Sequence, residues 1–182
     1  MNRLTTVWLN GAGALGAGRP DSAASCGRSV HHYRVDGPAG GRLIWIETDA
    51  GQTNGWSQAD VSLAAGEVFT FDLARDVGVK LQTPAPWLYV VHTDIPADVV
   101  ADYNAWYDEE HLPRLVGVPG IERARRYVAH GDLSPRYLTA YDLTIKDAFE
   151  SPAGLVARKT PWTERMRSLF QNTRRKMCAL QQ

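Results

Sequence analysis

The order of elements between Trp87 and Leu180 constrains the fold more than any other feature of this sequence. WLYVVHTDI (Trp87 to Ile95) is rich in aromatic and β-branched residues, as a strand requires. Pro96 suits the first position of a helix, and Val99, Val100, Tyr103, Trp106, Tyr107 and His111 then recur at helical spacing until Pro113, where the helix is expected to stop. Gly120 precedes a second strand, IERARRYVA, and GDLSP turns it into a third, RYLTAYDLT. Thr144 with Asp147 has the spacing of a capping box. Ser151-Pro152 and Thr160-Pro161 each read as a helix start, so the second helical region is expected in two pieces, with Arg174 to Leu180 as the last strand. Strand, helix, strand, strand, helix, strand is the split βαβ, ferredoxin-like order. Helices then cover one sheet face, and the bare face needs another sheet against it.

A shift of 94 residues supplies that sheet from the same chain. Tyr33, Gly37 and Arg42 fall on Tyr127, Gly131 and Arg136 with equal turn length, and Ser57 and Ala59 fall on Ser151 and Ala153. The expected fold is therefore α+β, with two ferredoxin-like repeats in one chain. Residues 1–84 form a degenerate half whose first helix is largely lost, and residues 85–182 form a complete βαββαβ half. Whether the two halves close a barrel alone or with a second chain is left open by the pattern.

Composition narrows the function. The chain has 182 residues, 44% apolar and 22% charged, with twenty basic and twenty acidic side chains. Such a balance gives no global field for nucleic acid or anionic lipid. The basic run near the carboxyl end (Arg158, Lys159, Arg165, Arg167, Arg174, Arg175, Lys176) reads as a solvated face. No apolar stretch is long enough for a membrane span. Cys26 and Cys178 fit no metal spacing and point to reduced thiols in a cytoplasm. GAGALG (Gly11 to Gly16) formally matches a dinucleotide fingerprint. The helix that would carry the phosphates does not follow, and a connector is the better reading.

The chemistry-bearing residues concentrate in WYDEEHLPRL (Trp106 to Leu115). Tyr107 and His111 lie one helical turn apart on the apolar face shared with Tyr103, so His111 is expected to face the sheet. There the dipole at a helix carboxyl end favours imidazolium while burial favours the neutral ring, an opposition that leaves a histidine poised near neutral pH. Glu110 can orient His111, act as an acid or pair with Arg114; Asp108 and Glu109 are expected to face water. His92 shares a strand face with Leu88, Val90 and Asp94 and is a second candidate base. His111, Tyr107, Glu110 and His92 form the candidate catalytic set, with Trp106, Tyr103, Arg126, Tyr127, Tyr141 and Trp162 as candidate substrate contacts. Adjacent His31 and His32 point to opposite faces of a strand, no HxH, HxxxH or CxxC spacing occurs, and no metal or cofactor is implied.

From about Trp87 onward the sequence resembles the dimeric α+β barrel superfamily, most of all its EthD-like members and related bacterial proteins. NAWYDEEHLPRL, VPGIERARRY, SPRYLTAYDL, ESPAGLVA, TPWTERM and FQNTRR carry the resemblance by their order and spacing. The resemblance implies a ligand cleft between sheet and helices and a homodimer. It also implies a cofactor-independent enzyme (isomerase, cyclase, lyase or monooxygenase) for a small aromatic or polyketide-like molecule. A non-catalytic ligand-binding or stress-related protein and a haem-handling protein are the alternatives it leaves open.

Overall fold

The computed structural model describes residues 2–9, 28–38, 40–49 and 66–181. The GAGALG loop, Cys26, Ser57 and Ala59 lie outside the described residues. The described residues form eight strands: β1 (Arg3–Leu9), β2 (Arg28–Val35), β3 (Arg42–Thr48), β4 (Gly66–Gly78), β5 (Trp87–Asp94), β6 (Ile121–Ala129), β7 (Tyr137–Leu143) and β8 (Gln171–Leu180). They close into one antiparallel barrel in the order β1-β3-β2-β8-β5-β7-β6-β4, with β4 returning to β1.

Within that ring β4-β1-β3-β2 and β8-β5-β7-β6 repeat the same order, joined by β2 against β8 and β4 against β6. This is the ferredoxin-like, dimeric α+β barrel architecture, closed within a single chain. The repeat needs one correction. Tyr33 pairs with Leu43 but Tyr127 pairs with Leu138, so the second hairpin turn (residues 130–136) is one residue longer than the first (residues 36–41). Facing is unaffected, because both partners of each pair point the same way.

Strand alternation sorts the side chains into layers. Leu4, Tyr33, Trp45, Phe71, Leu88, Val90, Tyr127, Leu138 and Cys178 point inward and fill the lumen as one cluster. Val91, Ala124 and Tyr141 point outward beneath the helices, where they meet Tyr103, Trp106, Tyr107, Leu112, Phe149 and Met166. Every helix among the described residues belongs to the second half: α1 (Val100–Ala105), α2 (Leu112–Val116), α3 (Pro152–Ala157) and α4 (Pro161–Ser168), with 3-10 turns at Ala97–Val99 and Ala148–Glu150. None is long and apolar enough to cross a membrane.

The helical pieces follow the local chemistry, with two departures from the sequence pattern. The Ser151 and Thr160 hydroxyls each accept the N–H three residues on, 3.0 Å in both cases, ahead of a proline in the first turn. Thr144 makes no cap: its hydroxyl donates to Glu122 at 2.7 Å, and only the 3-10 turn at Ala148–Glu150 precedes Ser151. Pro113 does not stop the helix either. A π-helical turn (Trp106–His111) joins α1 to α2, and Pro113 sits in the first turn of α2. The wide turn ahead of it leaves room for a ring that a continuous α-helix would drive into the carbonyl four residues back. The stretch ends at Gly117. Gly120 then enters β6 with φ +91°, and a Cβ there would lie 2.6 Å from Ile145, so no larger residue fits.

Candidate functional site

His111 sits at the end of the π turn, and that turn decides its neighbours. Five residues back, Trp106 stacks on the imidazole with ring centroids 4.1 Å apart and planes 28° from parallel. Tyr107 presents its edge at 5.3 Å. A regular α-helix would have put Trp106 off to one side. The ring is 6% exposed and its Nδ1 has no hydrogen-bond partner. Burial, with the Arg167 charge adding to it, pushes the imidazole pKa down to about 3. This corrects the expectation of a histidine poised near neutrality. The helical stretch continues past it to Val116, so no carboxyl-terminal dipole opposes burial, and the ring is neutral at pH 7.

Beside His111 is a hollow of about 40 Å³ between the sheet and the helices. Tyr89, Tyr141, Phe149 and Phe170 wall it, and Arg158, Arg167 and Arg175 bring three guanidiniums to its edge. Arg158 pairs with Glu150 at 2.7 Å; Arg167 and Arg175 make no ion pair among the described residues. These arginines came from the run read in sequence as a solvated face. Alternation along β8 divides it: Arg175 faces the helices, while Arg174 and Lys176 face the lumen.

The other candidates divide in the same way. Tyr141 walls the hollow, as do Trp106 and Tyr107. Tyr103 is fully buried behind them and packs on Tyr107 and Tyr137. Arg126 is 2% exposed, bonded to Asn104, with its guanidinium 4.7 Å from the ring centres of both Tyr103 and Tyr107. It clamps the helix to the sheet and does not line the hollow. Glu110 accepts from the Thr160 hydroxyl at 2.6 Å and so fastens the π turn to the cap of α4 instead of orienting His111. Arg114 donates to the carbonyls of Ala157 and Val156, not to Glu110. Trp162 donates to Asp102 at 3.0 Å, away from the hollow. Asp108 is only half exposed and lies 3.8 Å from Arg75 across an ion pair.

Tyr127 and His92 lie on the opposite face of the sheet, in the lumen. Tyr127 donates its hydroxyl to Glu47 at 3.0 Å. Glu47 in turn takes a guanidinium nitrogen of Arg125, whose other end reaches Asp142. This enclosed network went unseen in the sequence because its members are far apart along the chain. His92 is 4% exposed, surrounded edge-on by Trp8, Phe69 and Phe71 at 5.4–5.7 Å, and neither ring nitrogen has a partner among the described residues. Burial, then the Arg174 charge, pushes its pKa down to about 4. His92 and His111 therefore cannot act on one substrate: one strand's alternation separates them by the thickness of the sheet. Cys178 is a free thiol buried in the lumen. Among the described residues no three His, Cys, Asp or Glu side chains converge as metal ligands.

No family model matches this chain, and no curated protein matches it. Solved structures do match over its full length. A ferredoxin-fold protein of Listeria monocytogenes related to antibiotic biosynthesis monooxygenases superposes with a TM-score of 0.63 at 9% identity, covering 100% of this chain and 96% of that one. A major regulator of staphylococcal pathogenesis gives 0.65 at 9% identity, covering 99% of both. A chlorite dismutase of Candidatus Nitrospira defluvii gives 0.61 at 9% identity, covering 100% and 91%. At such identities the likeness is one of fold, and the breadth of these proteins shows how little the fold alone fixes.

Proposed function

We propose that this protein is a cofactor-independent proton-transfer enzyme of EthD-like type, acting in the cytoplasm on a small aromatic molecule with an acidic phenol or enol. The observation that carries the reading is the neutral His111 imidazole, with an unpartnered Nδ1, beside an aromatic hollow edged by Arg158, Arg167 and Arg175. With a pKa of about 3 the resting imidazole is a weak base, so it accepts a proton only as the phenolate or enolate forms beside it; the guanidiniums favour that anion, and the anion raises the ring's proton affinity. Trp106 stacked behind the ring holds its plane, and Tyr107 fixes its edge. Admission of a substrate ring requires Phe170 and the arginine side chains to move outward, since the hollow at rest holds little more than water.

The same smallness favours, as the second reading, a ligand-binding protein without turnover. A haem-handling role fits poorly: Trp106 covers one face of His111, and a porphyrin far exceeds the hollow. All strand edges are paired within the chain, so a homodimer would use the outer surface, where Leu155 and Val156 lie 49% and 67% exposed.

Proton exchange in D2O tests the proposal. A panel of phenols, anthrones and cyclic 1,3-diketones is incubated with the protein, and loss of the acidic C–H signal is followed by NMR. The expected result is exchange above the buffer rate that is lost in His111→Ala while binding persists. Exchange that survives in His111→Ala removes the imidazole from the mechanism; binding without exchange in the native protein favours the second reading.

A further inference from the structure

The lumen opens at its His92 end into a cavity of about 350 Å³. Among the described residues, Trp8, Phe69, Val90 and His92 line its depth, and Glu67, Arg174, Arg175 and Lys176 stand at its mouth. Ligand pockets start near ~300 Å³, and an apolar cavity of ~150 Å³ already admits benzene, so there is room for one or two fused rings.

Three buried polar atoms face this problem together. Both ring nitrogens of His92 and the Trp8 indole Nε1 lack hydrogen-bond partners, although Trp8 and His92 touch at 5.6 Å between centroids. An unmet buried donor or acceptor is costly, so a partner for these atoms would be favoured. Their chemistry describes it. Two donors and one acceptor, set among aromatic edges, suit a flat ring bearing a polar substituent. The mouth adds charge: Arg174 is held by Glu67 at 2.8 Å, whereas Lys176 makes no ion pair among the described residues.

We propose that the His92 end of the lumen is a binding site, separate from the His111 cleft, for a small planar aromatic carboxylate. The ring lies against Trp8, Phe69 and His92, a ring substituent meets the His92 and Trp8 nitrogens once those side chains turn toward the cavity, and the carboxylate meets the Lys176 ammonium. The site stands on the opposite face of the sheet and is independent of the reading given to His111.

Calorimetric titration of the full chain with 2-naphthoate, and with the neutral 2-naphthamide, tests it. The expected result is one saturable site that prefers naphthoate. His92→Phe weakens it about tenfold. Lys176→Met weakens naphthoate about fivefold and removes its preference over naphthamide. His111→Ala leaves both affinities unchanged. Absence of binding up to about 1 mM overturns the proposal, as does loss of the site in His111→Ala. Should His92→Phe not fold, Lys176→Met decides alone: a preference that survives there overturns the site.

Discussion

At one end of the lumen the Arg125 guanidinium is enclosed and both its terminal nitrogens are answered, by Glu47 from β3 and Asp142 from β7, with Tyr127 donating to Glu47, while its Nε lacks a partner among the described residues. At the other end His92 is just as enclosed and answered by nothing. The difference follows from charge. A buried guanidinium cannot shed its proton, so the fold must bring it carboxylates or, as for Arg126, an amide oxygen and aromatic faces; a buried imidazole loses its proton and survives as a neutral ring. One end is therefore a strut linking the two halves of the chain, and the other keeps space and unused hydrogen-bonding capacity. Burial alone would raise the Glu47 carboxyl, but Arg125 and the Tyr127 hydroxyl hold it below its ordinary value.

Breaking the strut should have the largest effect. Arg125→Met leaves the partly exposed Glu47 and Asp142 carboxylates without a cation and is expected to cost about 3 kcal/mol. In thermal unfolding that is a fall of roughly 10 °C. Adding Glu47→Leu and Asp142→Leu should recover most of it, because the stranded charges leave as well. If the single variant melts like the native protein, the network contributes nothing and the contrast between the ends fails.

Acid sharpens the same contrast. His92 and His111 have folded pKa values of about 4 and about 3, below the unfolded value, so the unfolded chain binds more protons between pH 6.5 and those values. Stability must then fall as pH drops through that window. By pH 5 each histidine should contribute about 2 kcal/mol of loss relative to pH 7. His92→Phe should remove its share, measured as a shallower fall in denaturation midpoint between pH 7 and pH 5. An unchanged slope would mean that the His92 end is open to water and protonates freely.

The smallest effect belongs to the barrel rim. Arg123 makes a two-pronged pair with Asp76, 2.8 Å from Nε to Oδ1, where the carboxylate is more than a third exposed. Arg123→Ala should cost about 1 kcal/mol or less, and salt should erode even that. A cost matching that of Arg125→Met would show that enclosure is not what distinguishes the two arginines.

Much of the fold was legible. The aromatic and β-branched run at Trp87 and the hairpin around Tyr127 have periodicities that no tertiary context was needed to interpret. The Ser-Pro and Thr-Pro helix starts were equally plain. His111 was legible as an inward-facing residue because its helix face is apolar. Its stacking on Trp106 was not, since a π turn changes which residue lies behind it and leaves no mark on hydrophobic spacing. The arginines of β8 are exposed, as the sequence suggested, but the different surroundings of its two faces were not legible. A run of positive charge looks solvated in one dimension, and only closure of the barrel gives its two faces different destinations.

By itself the sequence determined the elements and which residues share a face, because periodicity and capping act within a few residues of one another. Tertiary structure decided what each face meets. Glu47 finds Arg125 across 78 positions, and His92 and His111 part company across one sheet. Such pairings depend on how distant strands register, and short-range patterns carry no information about that.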